Sequence, residues 1–479
     1  MGWMEMWRIY CVMGGLLWAT LLPSHADQLL VHDPLQVGLV VPSPASLPLP
    51  DRSPVFCTTR WSASDLSLMQ AVTQALCHNP KTQTAALEVL AKNADVGVAK
   101  AAYLPTLNGS VQDLDSRLYS YYPTQSPIDN SFTSHYQDYS LNLSWLLYDF
   151  GARAADLQQA RDLLQAARAD QDAAVLEVMG ATVKDYYDAV AYTAAVQAAQ
   201  ADVAGAEHSV AVAQQRVAHG VAPISDALQA QTAQAQARLT LSQATRNREV
   251  SRGALAVDMG LEPTTTLHLQ AMGPETMDMP LHLVDEALHL ALSQHPKLRS
   301  AEAQVAAAEA HVARTRDAGR PSVRFVAKGD RNDNPQTLGL GNAYVPARAG
   351  AVSFALELDV PFFEGFVRTY QERRAEAEVQ VQQEKLSDVE QQLRQNVWSA
   401  YEDLQASHHN VQDAEQLLEV AQRAEDATRQ RYEHGVASIL EVLSTQTALA
   451  DARRQSISAL AQALNARLQL ANAVGVLGF

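Results

Sequence analysis

Few side chains in this sequence could do chemistry, and their spacing argues against catalysis. His408 and His409 are adjacent, and sequence neighbours do not share a helix face, so they make a poor metal site. Neither a His-Glu-x-x-His pattern nor a Gly-rich phosphate loop occurs. Three cysteines are present, Cys11, Cys57 and Cys77, with no second Cys or His pair at zinc-ligand spacing. What does recur is a turn, Arg-x-x-His-Gly-Val-Ala, at 216–222 and again at 431–437. An acid stands six residues beyond each glycine of that turn: Asp226 after Gly220, Glu441 after Gly435. Either acid could be a solvated side chain or a cap in the first turn of the following helix. No convergent polar constellation surrounds them, so no enzyme activity, cofactor or metal is expected.

The elements that carry these turns are unusually long. Phe366 to His434 contains neither Gly nor Pro. At 1.5 Å per residue a helix of that length reaches roughly 100 Å, against about 8–20 residues for an ordinary globular helix. Within it Val397, Leu404, Val411 and Leu418 fall seven apart, interleaved with Leu393, Ala400, Ser407, Ala414 and Ala421. That is the a/d rhythm of helices that supercoil with neighbours. One row is large and the other small, which lets partner helices approach closely.

Composition points the same way. The chain is 47% hydrophobic but only 6% aromatic, a balance that favours long helices, and its net charge of −17 excludes nucleic acid as a partner. Residues 1–26 read as a secretory signal: Arg8, an apolar run from Ile9 to Leu22, then Ser24-His25-Ala26. Fourteen apolar residues are too few to span a bilayer. Export leaves Cys57 and Cys77 in oxidising surroundings, where a disulfide between them is expected, with two unpaired thiols as the alternative.

Residues 27–63 form a Pro-rich extended arm, and after them the chain does everything twice. Pro80 to Pro105 and Pro296 to Pro321 are equal intervals, and 216–238 matches 431–453 at thirteen of twenty-three positions. Repeat 1 (64–260) holds strands at about 106–115 and 136–148, a long helix over 152–219 and a return helix over 224–258. Repeat 2 (284–479) holds strands at about 321–329 and 350–362, a long helix over 366–434 and a return helix over 439–474. Residues 261–283 link them. The strands alternate apolar with polar, as in Leu141, Leu143 and Trp145 against Ser140, Asn142 and Ser144. Polar loops, about Ser116 to Thr133 and Gly329 to Arg348, join each pair.

Four such strands cannot close a barrel, since outer-membrane barrels begin at about eight, and open edges are not tolerated in lipid. Strands pooled between chains could close one: two copies give eight and three give twelve. Pooled helices would continue it as a hollow cylinder.

The pattern Ala-Leu-Cys-His-Asn-Pro (75–80), Ala-Ala-Tyr-Leu-Pro (101–105), Leu-Tyr-Asp-Phe-Gly (147–151) and the twin turns resembles the TolC-like outer membrane factor family. The resemblance covers essentially the whole mature chain. It implies a mainly α fold with a β-barrel contribution, built from two tandem repeats of helix, β-hairpin and long helical hairpin. It further implies a homotrimer with a twelve-stranded barrel in outer-membrane lipid and an α-helical tunnel in the periplasm of a Gram-negative cell. The expected partners are a periplasmic membrane fusion (adaptor) protein and an inner-membrane ABC or RND transporter. The function implied is the exit duct for type I protein secretion or multidrug efflux, with the 75–80 motif and the cysteine pair most like the secretion branch.

By the same resemblance, His219, Gly220, Val221 and His434, Gly435, Val436 are tips that meet the adaptor. Asp226 and Glu441 match acids lining the periplasmic aperture, where symmetry would make a negative ring. Tyr432 matches a position in the interhelical contacts that hold the entrance shut. The family's basic residue two past the second glycine is Ala437 here, and its second acid is Ser444, so that closure must differ in detail. The competing reading is a soluble periplasmic coiled-coil adaptor or scaffold, which also uses long helical hairpins but needs no repeated pair of amphipathic strands.

Overall fold

The structure, a computed structural model, describes residues 35, 65–120, 130–270, 284–334, 336–337, 344–345 and 347–475. The signal over 1–26, Cys57 and the rest of the arm apart from residue 35, and linker residues 271–283 lie outside them. The chain divides into two compact units. One comprises Met1–Val40, Leu90–Leu164 and Ala306–Gln380; the other comprises Val41–Val89, Gln165–Val305 and Val381–Phe479. Each draws on both repeats.

Each repeat contributes the same series of elements, with a short extra ribbon in the second. The first gives α1 (Leu68–His78), α2 (Pro80–Ala101), β1 (Thr106–Ser120), β2 (Asn130–Tyr148), α3 (Ala152–Ala218) and α4 (Ile224–Asp258). The second gives α5 (Val284–Gln294), α6 (Pro296–Asp317), β3 (Ser322–Asn332), β4 (Gln336–Thr337), β5 (Tyr344–Val345), β6 (Ala349–Asp359), α7 (Val367–Glu433) and α8 (Ile439–Val474). Ser67 starts α1 with a full capping box, its Oγ accepting from the Gln70 amide while Gln70 reaches back to the Ser67 N–H. Among the described residues no helix is long and apolar enough to cross a membrane.

The first unit holds an antiparallel sheet in the order β1-β2-β3-β6. Its middle pairing, β2 with β3, joins the two repeats. Register keeps like residues on one face. Leu107 opposes Leu143, Leu143 opposes Ala327, and Ala327 opposes Phe354, making one apolar row. One step along, Asn108, Asn142, Lys328 and Ser353 make a polar row.

Two strand pairs differ from their sequence reading. β1 and β2 run on to Ser120 and back to Asn130, so much of the stretch read as loop is paired backbone. Alternation fades there because the row of Leu107 and Val111 continues as Asp113, Asp115 and Arg117, yet the hydrogen-bond ladder persists. β6 ends at Asp359 rather than 362, since Pro361 has no N–H to give. The Gly- and Asn-rich stretch after β3 also carries the short β4–β5 ribbon.

The second unit is helical. Its buried stripe on α7 follows the heptads: Leu393, Val397, Ala400, Ser407, Val411, Ala414 and Ala421 are buried, while Leu404 and Leu418 are half-buried. Two larger clusters pack α1 against α3. One gathers Val72, Leu76, Met179 and Val183 with Leu468, and the other gathers Leu66, Tyr186, Leu255, Met259 and Leu267. Leu66 bridges to Leu269 of the linker, and the Tyr186 hydroxyl donates to the Leu66 carbonyl at 3.0 Å.

Candidate functional site

The twin turns close α3 and α7 in the same way. Gly220 (φ +72°) and Gly435 (φ +80°) adopt the left-handed conformation that L side chains avoid. The Val221 amide donates to the Arg216 carbonyl and the Gly220 amide to Val217; Val436 donates to Arg431 and Gly435 to Tyr432. Each is a Schellman closure with glycine just past the helix end. The residues beyond are exposed and apolar: Val221, Ile224 and Leu228 in the first turn, Val436 and Leu440 in the second. His219 and His434 are exposed beside them.

Behind the exposed turns lies a small core of Val210, Ala213, Ala230, Tyr432, Ile439 and Val442, drawn from both helical hairpins. Tyr432 is its largest member and is 3% exposed. It lies on the α7 seam, seven residues past the buried Glu425, which explains why it faces inward. Arg216 comes across from α3: its Nη1 donates to the Tyr432 carbonyl at 2.5 Å, and its guanidinium carbon sits 4.7 Å over the Tyr432 ring. Burial pushes the Tyr432 phenol above its ordinary range; Arg216 opposes this and Asp226 adds to it.

The two acids occupy equivalent places in the first turns of α4 and α8, where negative charge favours the helix dipole. They differ in surroundings. The Glu441 amide donates to the Ser438 Oγ that caps α8, and its carboxylate stands 3.8 Å from Arg431 Nη1. Asp226 follows Pro223, which offers no side-chain cap, and its carboxylate accepts a bond from Ser225 Oγ at 3.4 Å. Thus Tyr432 and the second turn are brought to the end of α3 through Arg216, a residue whose repetition as Arg431 was visible in sequence but whose partner was not. Further along, Arg238 bonds Glu207 and Arg453 bonds Gln422, equivalent rungs across the two hairpins. Arg453 also bonds Asp202 of α3 at 2.8 Å. Among the described residues no group of His, Cys, Asp or Glu is placed to hold a metal.

In the first unit the exposed face of β6 consists of Val352, Phe354, Leu356 and Leu358, each about two-thirds or more exposed. An apolar face of that extent must be covered, and an alternating strand covers it with lipid. The model of the outer membrane efflux protein family matches residues 71–261 and 287–476, once per repeat. The chain belongs to that family. It is 30% identical over 418 residues to Protein CyaE of Bordetella pertussis, covering 86% of this chain and 85% of that one. It is 26% identical to the pyoverdine export outer membrane protein OpmQ of Pseudomonas aeruginosa, covering 92% of each. Its fold superposes on the outer membrane protein VceC of Vibrio cholerae with a TM-score of 0.70 at 21% identity, covering 85% of this chain and 96% of that one. The protein is therefore an outer-membrane transport channel with its helical part in the periplasm, and the soluble-adaptor reading falls away.

Cys77 is disulfide-bonded. Cys57 lies outside the described residues.

Proposed function

We propose that three copies of this chain pool their four-stranded sheets into a twelve-stranded barrel and their helices into one tunnel. The observation that carries this is the open sheet: β1 and β6 are each paired on one side only. Its apolar face needs lipid, and lipid does not tolerate unpaired edges. β6 of one copy pairing with β1 of the next closes the ring. The polar row through Asn108, Asn142, Lys328 and Ser353 then lines an aqueous bore.

The duct performs no chemistry; it is the exit for a substrate delivered by an inner-membrane ABC or RND transporter through a periplasmic adaptor. The tips at His219-Gly220-Val221 and His434-Gly435-Val436 suit contact with the adaptor's helices, because a glycine closure exposes small apolar side chains without an intervening loop. Asp226 and Glu441, repeated threefold, form a negative ring at the entrance, and Tyr432 with Arg216 holds the two hairpins of each copy together there. A Cys57–Cys77 disulfide ties the arm to α1. The cargo is a protein in type I secretion or a small molecule in multidrug efflux. The cysteine pair and the 75–80 motif support the first, and relatives named for pyoverdine export and toluene efflux support the second. Reconstitution into planar bilayers tests the duct: discrete cation-preferring channels are expected, and protein recovered only from the soluble periplasm would remove it.

A further inference from the structure

The second unit contains the same joint twice, built once with an amide and once with an imidazole. In the first copy Asn79 precedes Pro80 at the start of α2. Its Oδ1 accepts from the Lys81 amide at 2.9 Å, and its Nδ2 donates to the Asp258 carbonyl at 3.1 Å, at the end of α4. One side chain thus caps the start of a helix and ties it to the end of another. In the second copy His295 precedes Pro296 at the start of α6. Its Nδ1 accepts from the Lys297 amide at 3.2 Å. Its ring also bonds the backbone of Asn472, near the end of α8, in a contact that favours protonation, as donation to a carbonyl does.

The fit around each joint is close, and tighter at the first. Gly260 (φ +71°) and Gly475 (φ +82°) end α4 and α8, and a Cβ on either would press on the joint. On Gly260 it would come within 2.9 Å of the His78 carbonyl oxygen, and on Gly475 within 3.2 Å of the His295 Cα. His295 is 6% exposed.

We infer that His295 is a proton-operated release for the α6–α8 joint, and that the equivalent α2–α4 joint, capped by Asn79, lacks it. The cap requires a bare Nδ1. A protonated imidazole carries hydrogen on both nitrogens, so Nδ1 would then point a donor at the Lys297 donor, and the α6 start would lose its acceptor. Every element around the ring bears on the balance. Lys297 of α6 opposes protonation, while Glu177 of α3 lines the same cavity of about 320 Å³ and draws on Lys81 and Lys297. α7 and α8 bring only uncharged groups to that cavity, among them Gln392, Asn396, Gln469 and Asn472. Burial, and then Lys297, hold the imidazole below its ordinary pKa. With the folded value depressed, the joint's full strength is present above the unfolded imidazole's range and is lost as pH falls through the folded value. Asp258 of the first joint titrates over the same range in the opposite sense and is separable by substitution.

Hydrogen–deuterium exchange of the full-length protein in detergent reads each joint separately. On going from pH 7.5 to 5.5, after correction for intrinsic rates, protection in peptides covering Lys297 should fall by about threefold or more, while peptides covering Lys81 hold theirs. His295→Asn, which installs the first joint's own chemistry, should abolish the acid response, and Asn79→His should create one at Lys81. Unchanged protection at Lys297 in the wild type, or an equal response in His295→Asn, would overturn the inference. Should His295→Asn fail to fold, Asn79→His in an Asp258→Asn background decides: no acid response at Lys81 there contradicts it.

Discussion

Arg216 reaches from the end of the first long helix to the end of the second, donating to the Tyr432 carbonyl at 2.5 Å while lying 4.7 Å over its ring. This single side chain ties the two helical hairpins at the turns. The Tyr432 hydroxyl is buried and has no partner among the described residues. Ring and carbonyl, rather than hydroxyl, therefore make the contact. Tyr432→Phe should change stability by no more than about 1 kcal/mol, since it deletes a hydroxyl without a partner. Tyr432→Ala should cost about 3–5 kcal/mol by emptying the small core. Denaturant unfolding of both variants in detergent checks the contrast, and equal effects would refute it.

The two sheet faces should respond oppositely to charge. Phe354→Arg places a cation in the apolar row and should cost about 2–4 kcal/mol near the bilayer midplane. Ser353→Arg, on the adjoining polar row, should fold and insert normally and shift ion selectivity instead. Heat-modifiable gel mobility reports insertion. Reversed outcomes would exchange lumen and lipid.

Asp258 gives a pH dependence of definite sign. Burial, and then the charge of Asp185, raise its carboxyl to about 6. A raised folded value means the contribution to stability is complete below the unfolded carboxyl range and fades as pH rises through about 6. Asp258→Asn should flatten that dependence and stabilise the protein at pH 7.5 by an amount on the order of 1–3 kcal/mol. Thermal midpoints at pH 5 and 7.5 check this, preferably in a His295→Asn background, because the two groups oppose each other over the same range.

The entrance acids should act on ions. Replacing Asp226 and Glu441 together by alanine should weaken block by multivalent cations and alter single-channel conductance in planar bilayers. No change would take these carboxylates out of the mechanism. Glu441 has a second occupation, since its backbone amide meets the Ser438 cap and its carboxylate faces Arg431. The Asp226→Ala single variant is therefore the cleaner probe of the ring.

Much of this was legible in sequence because the signals are local. The heptads at Leu393 to Ala421 are the buried stripe, and Pro223 and Ser438 mark the starts of the return helices at Ile224 and Ile439. The strands' apolar rows followed from alternation. Where alternation stops, at Asp113 and Asp115 opposite Gln137 and His135, the backbone ladder continues with His135 paired to both acids, and alternation does not carry that signal. Pairings across great separations were equally invisible: β2 with β3, Leu66 with Leu269, Arg216 with Tyr432. The shared role of Asn79 and His295 could have been found by aligning the repeats on Pro80 and Pro296, had the chemistry of an amide and an imidazole been compared instead of their names.

Assembly is the claim on which the duct depends, and mass measures it. Native mass spectrometry of the folded protein released from detergent should give three times the mass of the mature chain, with no stable smaller species. A properly folded monomer or dimer as the only species would leave the β1 and β6 edges open in lipid and contradict the account.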